Sequence, residues 1–208
     1  MGTSPGKLIC RRHYGFSWGL LFREGIDNEA DAYWSFGEKY CRGWMKWVIN
    51  KVSTRCSTVH ETAITLKPSV HLANLRQGDE IDVSTHRTVG FSQAWQTSNS
   101  SLPTIILYSC TADEAPQRDD CPGMSQAIVN TDRWTLTILI GITAVGLIRM
   151  DISGVKMSRF RSQRTAAGTS YEVQYELKVD MRTEDGVLKY TCIADGKTVG
   201  ITTIDFRE

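Results

Sequence analysis

Charge and aromatic character crowd together most closely in Lys156-Met157-Ser158-Arg159-Phe160-Arg161-Ser162-Gln163-Arg164. Lysine and arginine at this density bind phosphate by displacing condensed counterions, and a ring set among them can stack on a base. Lys156, Arg159, Phe160, Arg161 and Arg164 are therefore the candidate nucleic-acid or anion-binding residues, with Arg11 and Arg12 as a second basic pair near the start. The plainer reading of the same stretch is a solvated loop ahead of the strands that follow, and composition favours it.

Other chemistries find little to work with. His13, His60, His71 and His86 have neither an i, i+4 partner nor the cysteine spacing of a zinc site, so no metal is expected. Cysteines stand at 10, 41, 56, 110, 121 and 192 without a C-x-x-C pair, which favours free, buried thiols in a reducing, intracellular compartment. No G-x-S-x-G elbow occurs, and Gly141 to Gly146 lacks the lysine of a phosphate loop. Asp119 and Asp120 sit beside Pro122, where a solvated turn is the default. No catalytic residue and no cofactor is assigned on this basis.

Aromatic residues are the other conspicuous feature, more than half of them falling before residue 56. Tyr33, Phe36, Tyr40, Trp44 and Trp47 step by three or four, a spacing that predicts an amphipathic helix between Asp27 and Val52. Asp27 or Asn28 would cap it, with Glu29 and Asp31 in the first turn where the helix dipole favours acid. Those five rings are the candidate interface, against the sheet, a membrane surface or a partner subunit.

Strand patterning takes over downstream. Ile64 to Val83 alternates in short runs, 96 to 103 reads as a polar loop, and Thr104 to Cys110 as a buried strand. The apolar stretch Trp134 to Ile148 is too short and too β-branched to cross a bilayer as a helix; Gly141 or Gly146 would bend or bulge it. Residues 171 to 182 alternate without error, and Asp185-Gly186 and Asp195-Gly196 supply two tight turns after them. The register this implies pairs Val179 with Cys192, Cys192 with Val199 and Tyr190 with Ile201. It places Leu177, Val179, Met181, Tyr190, Cys192 and Val199 on one apolar face, with Arg182 opposite Lys189 on the other.

The expected fold is mostly β or α+β: an antiparallel sandwich or barrel with an N-terminal amphipathic helix and a C-terminal three-stranded meander. Residues 1 to 56 form the helical, aromatic-rich segment and 57 to 208 the β domain. With 208 residues, 41% hydrophobic, 23% charged and a net charge of +1, the chain can build one core without disulfides or metal. No secretory signal opens it. Function is expected to be non-catalytic: a structural, assembly or binding protein, in a homo-oligomer or with a protein partner, as in a particle or shell. A nucleic-acid-binding protein and a small enzyme with a site assembled from scattered residues are the alternatives.

Overall fold

Val, Ile, Thr and aromatic residues suit a pleated, half-buried surface, and the chain is extended wherever they concentrate. The computed structural model describes residues 11–50, 86–98, 101–119, 142–166, 168–182 and 186–205. Its strands are β1 (His13–Leu21), β2 (Ala32–Ser35), β3 (Glu38–Ile49), β4 (His86–Gln96), β5 (Thr104–Cys110), β6 (Ile142–Arg149), β7 (Arg161–Thr165), β8 (Gly168–Arg182), β9 (Val187–Ala194) and β10 (Lys197–Asp205). They form two antiparallel sheets and no closed barrel. One runs β2-β3-β1-β5-β6; the other runs β10-β9-β8-β4, with β7 beside the first residues of β8. The first sheet takes strands from both sides of residue 56. Strands expected around Ile64 to Val83 lie outside the described residues, as do the apolar stretch before Ile142, Cys10, Cys56, Cys121 and Asp185.

The C-terminal meander is present, with two adjustments of register. Between β8 and β9 the pairs are Val179 with Tyr190 and Leu177 with Cys192, two residues away from the register expected of a two-residue loop. Four residues separate the paired Arg182 and Val187. An even shift keeps every side chain on its own face, so the apolar surface survives. The shift also sets Asp180, not Arg182, opposite Lys189, and the like-charge conflict disappears. At the second turn Asp195 and Gly196 have φ of 49° and 72°, the left-handed pair a type I′ hairpin needs. Lys197 then pairs with Ala194 and Thr198 with Ile193 as expected, but a bulge at Val199 moves the next pair to Gly200 with Cys192. Tyr190 consequently faces Thr202, and Ile201 turns outward.

The expected amphipathic helix does not form: residues 27–50, the described part of its span, hold no α-helix. Asn28 does cap, its side chain accepting from the Ala30 N–H at 3.1 Å, but what it caps is a single 3-10 turn, Glu29–Asp31. The chain then runs up β2, reverses at Phe36 (φ 50°) and Gly37 (φ 82°), and returns along β3. Two successive left-handed residues are the hairpin geometry and cannot belong to a right-handed helix. The three-to-four spacing of the rings arises because Phe36 occupies the turn and β3 bulges near Gly43, so a strand period is broken into an apparently helical one.

The core lies between the sheets. Tyr14, Phe16 and Ile49 from the first meet Val173, Leu177 and Tyr190 from the second, all nearly or fully buried. Along one flank β6 and β10 are stitched together: the Asp151 N–H donates to the Val199 carbonyl at 2.8 Å, and Ile204 packs on Gly146. Cys41, Cys110 and Cys192 are all buried. Burial pushes the Cys192 thiol up to about 12, so it stays neutral and behaves as a small apolar side chain.

Candidate functional site

The opposite flank holds a cleft of about 640 Å³, within the range of roughly 300–1,000 Å³ that ligand sites occupy. Its origin is a fork in the first sheet. β1 pairs with β5 only over His13–Phe16, opposite Leu107–Cys110; beyond that point β1 follows β3 and β5 follows β6. The cleft opens between the parted strands, lined by Ser17, Trp18 and Gly19 on one side and Thr104, Ile105 and Ile106 on the other. Phe91, Ser92, Gln93 and Ala94 of β4 form a third wall. Among the described residues β4 pairs with β8 alone, so the edge it turns away from β8 is open.

Lining by consecutive residues is informative. Successive side chains on a strand point to opposite faces, so a pocket floored by a sheet face meets every second residue. A pocket that meets three or four in a row is bordered by the strand's edge, where main-chain N–H and C=O groups point. Ser17 fits this reading, because its hydroxyl donates to Asp119 Oδ2 at 2.7 Å.

Side chains complete the enclosure. Phe16 and Phe91 meet across the sheets with ring centroids 5.5 Å apart, and Phe91 stacks on Tyr175 at 5.1 Å. Tyr33 and Tyr40 reach in from the β2–β3 hairpin, stacked at 5.7 Å. The Tyr33 hydroxyl rests directly on Gly19, where any side chain would displace it. At the hairpin tip, Arg161 lies over the Phe36 ring and donates to the Phe36 carbonyl at 2.8 Å, fastening the hairpin to β7.

The cleft's ionisable groups are three tyrosines and Glu172. Glu172 accepts from the Ser92 hydroxyl at 3.4 Å and lies 3.8 Å from Arg161. Burial is the main cause that pushes the Tyr40 phenol up to about 12, helped by its 2.8 Å hydrogen bond to Glu38 and by the charge of Glu172. Burial also raises Tyr33 and Tyr108. All three phenols are therefore neutral donors at physiological pH. Lys46 sits 5.4 Å from the Trp18 ring, half-buried and lowered by that burial. Among the described residues no group of three or more His, Cys, Asp and Glu side chains is placed to hold a metal ion.

The residues singled out from sequence are distributed as follows. Tyr33 and Tyr40 line the cleft, and Phe36 is buried in the hairpin turn. Trp44 lies under the guanidinium groups of Arg23 and Arg118, and the Trp47 indole donates to the Pro116 carbonyl at 2.7 Å, so segment 116–118 covers both rings. In the basic stretch Arg159 is ion-paired with Asp195, Arg161 is engaged as described, and Phe160 packs on the core; Lys156 and Arg164 stand in solvent. Arg11 and Arg12 precede β1 at the end away from the Phe36 hairpin, nine strand residues or about 30 Å from Leu21, so the two basic regions are not brought together.

Sequence reasoning passed over Ser17 to Gly19, Phe91 to Ala94 and Glu172. The strands themselves were readable, but which edge of each stays unpaired depends on pairing between segments distant in sequence. Among the described residues no helix is long and apolar enough to cross a membrane. No family model, no curated protein and no solved structure matches this chain.

Proposed function

We propose that the chain is a non-catalytic binding or assembly protein, which joins a protein partner or further copies of itself through the cleft. The observation that carries this reading is the convergence on one aromatic-lined space of three strand edges that are unpaired among the described residues. Open edges invite pairing, and natural sheets normally blunt them with charge, proline or a covering element. β4 carries neither Lys, Glu nor Pro between Thr88 and Gln96. The lining supplies hydroxyls, an amide, rings and one carboxylate, groups that recognise and orient.

Light scattering with native mass spectrometry of the full chain tests the proposal. The expected result is a particle heavier than the 23.3 kDa chain, as a homo-oligomer or with a bound polypeptide. A bare monomer at every concentration up to about 100 μM removes self-assembly at that affinity or tighter, and a monomer that also binds no polypeptide overturns the proposal.

Nucleic-acid binding has one observation in its favour: all five side chains of β7 are exposed, Arg161 and Arg164 among them. Its signature would be affinity for single-stranded RNA that falls steeply with salt; an affinity unchanged when Lys156 and Arg164 are replaced by Glu would remove it.

A further inference from the structure

We infer that the cleft is a strand acceptor, in which an extended segment of a polypeptide partner enters the fork and pairs its main chain with the edges of β1 and β5 on its two sides, with β4 as the wall across it. This rests on the binding reading above and narrows it to one ligand chemistry. The fork after Phe16 and Leu107 leaves main-chain groups of Ser17–Gly19 and Thr104–Ile106 without a described backbone partner across the gap. The exposed side of β4 adds Phe91–Ala94. A donor and acceptor alternating along an edge match the alternation of another polypeptide backbone and of no compact small molecule.

Side chains set the sequence the segment would carry. Its residues on one face meet Phe16, Trp18, Phe91 and Ile105, which asks for apolar side chains at every second position. Those between meet Ser92, Tyr40 and Glu172, with Glu38 behind Tyr40, which asks for polar or basic ones. Each wall is three or four residues long, so a segment of about four to six residues, spanning roughly 13–20 Å, fills it. Proline within that segment would remove a donor the edges need.

The test pans the full-length chain against a phage-displayed library of random dodecapeptides. Enriched peptides are synthesised, and their affinity is compared with that of two versions N-methylated at alternate amides, one set each. The expected result is enrichment of proline-poor peptides with apolar residues at alternate positions, and a loss of about tenfold or more for at least one methylated set. Hydrogen exchange on the unmodified protein should slow at residues 17–19, 91–94 and 104–106 when peptide binds. Replacing exposed Ala94 with Trp, which fills the cleft from its wall, should weaken binding by a similar factor with the circular dichroism unchanged. No enriched peptide, no loss of affinity in either methylated set, or protection confined to other residues each overturns the strand acceptor. A multimer by native mass spectrometry that enriches no peptide would leave the assembly reading standing without it; a monomer that enriches alternating peptides would show the reverse.

Discussion

Where β6 meets β10, a main-chain hydrogen bond of 2.8 Å joins the two sheets, and a Cβ on Gly200 would lie 2.8 Å from both the Arg149 carbonyl oxygen and a methyl of Ile148. Where β2 and β4 end the same two sheets on the other flank, the contacts among the described residues run through side chains: Arg161 on Phe36, Phe16 on Phe91, and Arg87 donating to the Val48 carbonyl at 2.9 Å. One flank is therefore joined through backbone and the other through rings and guanidinium groups, with a cleft left between them. A strand edge joined to another is inert, whereas an edge screened only by side chains stays competent to pair. The difference teaches that the sheets are joined through backbone at one side and, among the described residues, through side chains at the other.

Mutations separate the two flanks by the size of their effects. Leu177 is fully buried in the meander and faces Cys192, so Leu177→Ala should cost about 2–5 kcal/mol in a urea unfolding titration, the transfer loss plus a cavity. A cost under about 1 kcal/mol would mean that the core does not lie where β8 and β9 pair. Gly200→Val asks whether the backbone joint is real. Its side chain would meet backbone rather than a flexible tip, and about 1–3 kcal/mol of destabilisation is expected from overpacking. Ready tolerance of valine would show β6 and β10 to be further apart and the contrast between the flanks to be false.

The contrast also follows what could be read from sequence. The meander was legible because its alternation and its second turn are local: Asp195-Gly196 fixes a hairpin whatever the rest of the chain does. Thr104 to Cys110 was legible for the same reason. Even there the bulge at Val199 and the four-residue connection before Val187 were hidden, since both are settled by which side chains the opposing sheet accepts. The hairpin that walls the cleft was misread as a helix because its turn falls on an aromatic residue, Phe36, instead of a polar turn former. Its ring is taken up by Arg161, 125 residues away, a contact no local pattern announces. The cleft was not legible at all: it exists because β1 and β5, more than 80 residues apart in sequence, pair over only four residues before they part.

A smaller effect, confined to alkaline solution, bears on whether the hairpin is docked over the cleft. Tyr40 has its phenol raised from about 10 to about 12, first by burial and then by Glu38. A group whose folded pKa is raised stabilises the fold fully below the unfolded value and loses that contribution as pH climbs through the folded value. Stability should therefore decline between about pH 10 and pH 12, and Tyr33, Tyr108 and Tyr175, all raised by burial, add to the same decline. Tyr40→Phe should cost no more than about 1 kcal/mol near neutrality, where it removes one exposed hydrogen bond to Glu38. It should also make the alkaline decline shallower, measured as the difference in urea midpoint between about pH 8 and about pH 11. An equally steep decline in the variant would place the Tyr40 phenol in open water. The hairpin would then not close over Gly19, and the cleft would be wider than about 640 Å³.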